Sequence, residues 1–434
     1  MKRLMFCFIV AVFCTAYFKA SGYQTSSGFK TGLGLAVGTP HNDSISASAS
    51  NAARPEFQTS FASSKQHIQT HAASLVELKD GRIRAFWFSG SREGAADVEI
   101  HGSVFDPATG YWGKEQAVVT RENTEHSLMR YISKLGNPVA GRASDGSLWL
   151  YFVTVSMGGW AGSSISVTTS LDEGETWQPA RRLVTSPFLN ISTLVKGAPF
   201  FYADGSIGLP VYHEFISKFG EILHFDQTDK LIDKQRLSAG KDHGLQPLLL
   251  PGNVNQAQVL MRHSGDEHRQ VICVSTSDGG KTWTRPEKIS LSNPDAALAA
   301  VSLQDGRLLA VLNNQEQGRD TLSLMISADG GASWLNLYQL EDQRGHATDE
   351  AHYLNTVAGL VKQVAATEAR EYTESAKNSL CTGNACRFEF SYPYLIQTQG
   401  GNFHLVYTWN RSFIKHVTFT RAWLNQRLKL SGHD

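Results

Sequence analysis

The apolar positions of this chain fall into short runs, and each run is opened by a turn dipeptide. They read "DGRIRAFWF" from Asp80, "DGSLWLYFV" from Asp145, "DGSIGLPVYHEF" from Asp204, "GNVNQAQVLMR" from Gly252, "DGRLLAVLNN" from Asp305 and "GGNFHLVYTWNR" from Gly400. Asp-Gly suits a tight turn because both residues tolerate positive φ, and the residues after it have the aromatic and β-branched bias of a buried strand. A second pattern runs in phase with the first. "SLDEGETW" (Ser170 to Trp177), "TSDGGKTW" (Thr276 to Trp283) and "SADGGASW" (Ser327 to Trp334) share Ser/Thr-x-Asp-x-Gly-x-Thr/Ser-Trp, while "FDPATGYW" from Phe105 is a lengthened copy and "FDQTDK" around Asp226 fills the remaining interval. In a hairpin the Asp carboxylate accepts N–H bonds across the turn and the Trp packs beneath it, so these residues are structural.

Six repeats of short strands predict an all-β fold, a six-bladed β-propeller in which each four-stranded blade buries its faces against its neighbours. The longer interval before the last repeat predicts an insertion at about 336–387. Its segments "EDQRGHATDEAH" and "ATEAREYTESAKNS" are too polar for a core and are expected to hang over one face of the disc. Ahead of the propeller, assigned to 61–434, residues 23–60 are rich in Ser and Ala and read as a flexible linker. Residues 1–22 carry Lys2 and Arg3, an apolar run from Leu4 to Phe18, and small residues at Ala20 to Gly22. This predicts a signal peptide and a secreted or periplasmic protein, with an uncleaved N-terminal anchor as the alternative.

The 434 residues hold 40 Lys+Arg against 40 Asp+Glu. A formal charge of zero argues against a nucleic-acid or membrane-surface binder, so any anionic partner must be met by a local site. Of the five cysteines, Cys7 and Cys14 fall in the signal, and Cys273 in "VICVS" reads as a core thiol. Cys381 and Cys386 bracket "CTGNAC" and either form a local disulfide or stand as two loop thiols. No CxxC or HExxH run is present, so neither a structural zinc nor a zincin site is expected.

The three boxes and the six-fold strand repeat resemble the Asp-box (bacterial neuraminidase repeat) propellers, over nearly the whole chain from His67. Asp-box hairpins are specific for fold and weak for function. In the sialidase family an acid/base Asp follows a substrate-binding Arg by five residues, and "SREGAAD" matches with Arg92 and Asp97. The family's Glu-Pro, with an Arg sixteen residues on, is matched by Gln246, Pro247 and Arg262, and "SYPYLIQTQGGNFHLVYTW" puts Tyr392 where the family has its nucleophile. Two departures stand out: His71 in "QTHAAS" occupies about the place of the family's opening arginine, and Gln246 replaces the Glu that activates the tyrosine.

The resemblance implies that Asp97 is the acid/base, that Tyr392 is the nucleophile, and that Arg92 and Arg262 grip a carboxylate, with Arg319 and Arg411 completing the grip. Asn313 should stand in its blade as Arg262 does in the one before. A glutamine is not a useful base. That duty is assigned to Glu214, then His213, both in "VYHEF", with His243 behind them. Lys196 in "TLVKGAP" is either a further anion contact or a solvated lysine. The ends of the repeated strands converge near a propeller's axis, so a polar pocket with an excess of arginine is expected. The activity implied is an exo-acting hydrolase removing terminal sialic acid or a related acidic sugar from glycans. Its alternatives are a polysaccharide lyase on uronate glycans, using Arg262, His213 and Tyr392, and a non-catalytic glycan-binding propeller. No cofactor or metal is required, although the acidic turns offer places for structural Ca²⁺.

Overall fold

The computed structural model describes residues 28–31, 54–143, 145–186, 190–237, 244–265, 268–345, 349–377, 381–382 and 385–431. The signal segment, most of the linker and His243 lie outside the described residues. Six antiparallel sheets follow one another along the chain, and inner strands of successive blades touch, the last against the first.

Each apolar run after a turn dipeptide becomes the second strand of a blade: Ile83–Gly90, Leu148–Val155, Ile207–His213, Ala257–Arg262, Leu308–Leu312 and Phe403–Trp409. Ile83–Gly90 and Leu148–Val155 are buried at every position. Strands covered on both faces can be apolar throughout, which is why these runs do not alternate. The inner strands preceding them are Gln69–Glu77, Lys134–Arg142, Leu194–Val195 with Phe200–Phe201, Leu245–Pro251, Ala299–Ser302 and Phe390–Gln397.

The three boxes connect the third and fourth strands of blades 2, 4 and 5. Asp172 accepts from Thr176 N at 2.9 Å and Thr176 Oγ1 at 2.6 Å, and Asp278 and Asp329 repeat both bonds with Thr282 and Ser333. Hydroxyl and N–H donors hold all three carboxyls down at about 2.

The last blade is closed from the other end of the chain. Phe57–Phe61 pairs with Phe413–Phe419 as its outermost strand, from Phe57 opposite Phe419 to Phe61 opposite Lys415. This corrects the expected linker at 23–60, whose final residues belong to a blade. Phe29, earlier in the same segment, is fully buried and stacks on Tyr202 at 5.7 Å.

The insertion also departs from expectation. Leu335–Asp342 is still the outer strand of blade 5, and helices Glu350–Val364 and Ala369–Lys377 follow it. Tyr353, Val357 and Val361 recur every fourth residue, so one helix face enters the core despite the polar composition. Tyr353 packs on Phe388 at 4.5 Å and Tyr372 on Phe61 at 4.9 Å, against blade 6 and its closing strand. Cys386 is disulfide-bonded, and Cys381 is its partner in a two-residue ladder. Cys273 is a free, half-buried thiol.

Phe61 touches Tyr372, Trp409 and Phe413 with ring centroids 4.9, 5.7 and 5.0 Å away. Phe61→Ala should therefore cost about 3–5 kcal/mol in urea unfolding. A cost below about 1 kcal/mol would mean that the strand does not close the ring.

Candidate active site

Four inner strands carry a register shift near their start, between His71 and Ser74, Gly136 and Val139, Leu245 and Leu248, and Ser391 and Tyr394. Within each shift one residue is left-handed: Ala72 (φ 52°), Asn137 (43°), Gln246 (53°) and Tyr392 (53°). Blades 3 and 5 have Ser192 (56°) and Asp295 (61°) just before their inner strands. A bulge sets two residues against one and re-aims a side chain that would otherwise face a neighbouring blade. Left-handed backbone at non-glycine residues costs roughly 1–2 kcal/mol each and gathers at functional sites.

The re-aimed side chains meet in one hydrogen-bonded chain. Asn137 Nδ2 donates to Tyr212 Oη at 3.1 Å, and Gln246 Nε2 lies 3.4 Å from the same oxygen and 3.3 Å from Tyr392 Oη. Arg262 Nη1 donates to Tyr392 Oη and Gln246 Oε1, both at 3.3 Å, while its Nε donates to Asp295 Oδ1 at 2.6 Å. His71 completes the circle, its ring 4.3 Å from that of Tyr392. Every blade contributes at least one of these residues.

Beside this chain lies an arginine cluster. Glu389 accepts from Arg319 Nη1 at 3.2 Å, Arg411 Nε at 2.8 Å and Ser391 Oγ at 2.8 Å. Arg411 Nη1 also donates to Glu93 at 3.0 Å, and Arg319 Nη2 to the Asp295 carbonyl at 2.8 Å. Asn410 and Arg411 are both left-handed, and Asn410 Oδ1 accepts from Glu389 N–H at 2.8 Å. The cluster is thereby locked to the start of the Tyr392 strand. Arg262, Arg319 and Arg411 are thus matched by Asp295, Glu389 and Glu93, which corrects the expected excess of arginine.

Burial alone would raise the Glu389 carboxyl, but Arg411, His71 and Arg319 outweigh it and hold it at about 2. Burial lowers His71 to about 4, so its imidazole is neutral at neutral pH. Burial raises both Glu214 and Tyr212. Glu214 senses the charges of Arg262, Lys218, Asp295 and Glu93, and its N–H donates to Ser192 Oγ at 2.9 Å. Among the described carboxyls around the axis it has no ion pair.

Tyr392, Gln246, Arg262, Arg319, Arg411 and His71 are therefore gathered together, with Glu214 at their edge. Other residues singled out in the sequence lie elsewhere. Arg92 is exposed and makes no ion pair with Asp97, whose exposed carboxylate instead accepts from Ser91 N and Oγ, both at 2.9 Å. The slight burial of Asp97 raises its carboxyl, but the Ser91 donors leave it below the usual range, so it holds no proton at neutral pH in this state. His213 is paired with Glu221 at 3.0 Å and stacks on Phe219, and neither partner belongs to the hydrogen-bonded chain around Tyr392. Asn313 is fully buried, and its Nδ2 ties the Thr321 carbonyl to that of Phe390, so it joins blades 5 and 6 and does not face the pocket. Lys196 lies behind the site, donating to the Pro393 carbonyl at 3.1 Å, and burial lowers it to about 7.

Asn137, Tyr212, Asp295, Glu389 and Glu93 are the members that sequence reasoning missed. The Pro that follows the left-handed residue at 138, 247 and 393 is the shared signal that marks Asn137. A cavity of about 480 Å³ runs beneath the site along the inner strands of blades 3 to 6, from Lys196, Gln246 and Pro393 toward Gly252 and Gly306. Leu and Ala from the inner strands are prominent in its walls, and Lys196 and Gln246 lie at its polar end.

Glu389 has its pKa depressed from 4.5 to about 2, so its stabilising contribution is present above pH 4.5 and is lost as pH falls toward 2. That shift corresponds to roughly 3 kcal/mol. Glu389→Gln should lose about this much at neutral pH and show a flatter stability profile between about pH 5 and pH 3 than the unaltered protein. An unchanged profile in urea unfolding would remove the arginine clamp from the account.

The profile of the BNR repeat-like domain family matches residues 81–405. No curated protein matches the chain in sequence. Among solved structures, the Hadza microbial sialidase Hz136 is 14% identical with a TM-score of 0.60, over 81% of this chain and 66% of that one. The chain thus spans just under two thirds of that relative. The intramolecular trans-sialidase from Ruminococcus gnavus, solved with oseltamivir carboxylate, is 11% identical with a TM-score of 0.59, over 84% of this chain and 98% of that one. A protein of unknown function from Dyadobacter fermentans is 13% identical with a TM-score of 0.59, again over 84% and 98%. At these identities the likeness shows a shared six-bladed fold.

Proposed function

The chain belongs to the BNR repeat-like domain family, and we propose that it is a glycan-processing enzyme of the sialidase kind, an exo-acting hydrolase of terminal sialic acid or a related acidic sugar. The observation that carries this reading is Tyr392 Oη, set on the axis by a bulge and approached at 3.3 Å by two donors, Arg262 Nη1 and Gln246 Nε2. A carboxylate nucleophile would be repelled by a carboxylate-bearing sugar, whereas a neutral phenol can approach it. As Oη attacks the anomeric carbon and gives up its proton, both donors stabilise the phenolate character that develops.

Glu214 takes that proton in this reading, because among the described carboxyls near the axis it is the one in no ion pair. Arg262, Arg319 and Arg411 orient the sugar carboxylate through the N–H groups that their acidic partners leave unused. Asp97, on the loop after the second strand of blade 1, protonates the leaving oxygen once substrate covers it and raises its pKa. Water then releases the sugar from Tyr392. The signal-like pattern at residues 1–22 supports action on glycans outside the cytoplasm. Among the described residues no helix is long and apolar enough to cross a membrane.

A specific observation favours a second reading. Among the described residues no carboxylate hydrogen-bonds Tyr392, and neutral His71 packs on its ring. Tyrosine, neutral histidine and arginine together can also remove a proton beside a uronate carboxylate, as β-elimination requires. In the lyase reading His71 therefore replaces His213.

Product analysis separates the two. Sialylated and uronate-containing glycans should yield free acidic monosaccharide with no gain in near-ultraviolet absorbance, and Tyr392→Phe should abolish release while leaving ligand affinity within about twofold. Gln246→Glu places a base beside Tyr392 Oη and should raise turnover on the order of 10- to 100-fold. An unsaturated, absorbing product would establish elimination instead, and full activity in Tyr392→Phe would exclude both mechanisms.

A further inference from the structure

Far along blade 1 from the axis, three metal-binding side chains converge from separate parts of the chain. His67 lies in the connection between Phe57–Phe61, which closes blade 6, and Gln69–Glu77, which opens blade 1. His101 is on the third strand of blade 1, and Glu115 immediately precedes the edge strand Gln116–Val119. Glu115 Oε1 lies 3.2 Å from His101 Nδ1 and 3.4 Å from His67 Nε2, and the three atoms all fall within 4.8 Å of one another.

These contacts are a poor account of themselves as hydrogen bonds. The Glu115 side chain is only 4% exposed, and its Oε1 is buried without a hydrogen-bond partner although two imidazole nitrogens face it. Leaving a buried carboxylate oxygen unsatisfied is costly. A cation between the three atoms removes that cost. Zinc binds imidazole nitrogen and carboxylate oxygen at roughly 2.0–2.2 Å in a tetrahedron, which sets neighbouring ligand atoms about 3.3 Å apart. The separations of Glu115 Oε1 from His101 Nδ1 and from His67 Nε2 agree with that spacing.

The surroundings also fit. His101 Nε2, the nitrogen turned away from the cluster, is buried and makes no hydrogen bond among the described residues, with Glu99 Oε2 3.5 Å away. Glu115 Oε2 accepts from Ser64 N–H at 2.6 Å. A metal-binding carboxylate is ordinarily oriented by such an outer partner. Two imidazoles and one carboxylate select a zinc-like transition metal over Ca²⁺ or Mg²⁺, which prefer all-oxygen sites. No local motif announces the cluster, because its members are separated by 34 and 14 positions.

We propose that His67 Nε2, His101 Nδ1 and Glu115 Oε1 hold a zinc-class divalent cation that staples the junction between the last and first blades. The fourth ligand is water, since His67 stands at the solvent side, 26% exposed. Ser64 and His67 belong to the crossing segment, whereas His101 and Glu115 belong to blade 1, so the ion fixes the point where the ring is joined.

The test uses the full chain, stripped with a chelator and then titrated with Zn²⁺, Co²⁺ and Ca²⁺. The expected result is one equivalent of Zn²⁺, a visible Co²⁺ band of tetrahedral intensity, and a thermal midpoint raised by roughly 3–8 °C with Zn²⁺ but not with Ca²⁺. His67→Ala, which removes the most exposed of the three side chains, and Glu115→Gln should each lose the band and the shift. Absence of stoichiometric binding, or binding untouched by both substitutions, would overturn the site. Binding without a thermal shift would overturn the staple.

Discussion

A strand running beside the axis of a propeller points its side chains alternately at the two neighbouring blades, and neither direction is the axis itself. The left-handed residue near the start of each inner strand changes that. It turns Asn137, Gln246 and Tyr392 inward and brings Asp295 alongside, so that one hydrogen-bonded chain crosses five blades and meets His71 of the remaining one. A site assembled this way depends on ring closure, because a shift of one blade displaces a member of the chain. Closure in turn depends on Phe57–Phe61 and on the helices that pack against it.

Charge matching is the second constraint. Three guanidiniums near the axis face three carboxylates, and Glu389 is shared by two of them. Removing one partner of such a group would strand the other charges in a partly desolvated place. The pairing therefore preorganises the arginines and also weakens the pocket's pull on an anion. A ligand carboxylate must be recognised by the directions of the free N–H groups more than by net charge.

The blades were legible because the signal for them is local: a turn dipeptide, then a run apolar enough to be covered on both faces. The strand "FQTSF" alternates within a Ser- and Ala-rich stretch and pairs with residues near the other end of the chain, so no local pattern marked it. The insertion's apolar face was hidden by polar residues between Tyr353, Val357 and Val361. At the site, Tyr392, Gln246 and Arg262 could be found because each sits at a fixed distance from a Pro or a box. The partners could not. Glu93 pairs with Arg411 while its neighbour Arg92 points to solvent, a choice made by the loop that only the folded chain shows.

The family places the fold, and the proposed function assigns the chemistry to the axial tyrosine, so that proposal stands on whether Tyr392 bonds to sugar. Mass spectrometry of protein quenched during turnover of an acidic glycan, with peptide mapping, reads this directly. The account predicts an added mass of one sugar on the peptide that contains Tyr392. Free sugar released with no adduct on that peptide under any quench, or an adduct on another residue, would contradict it.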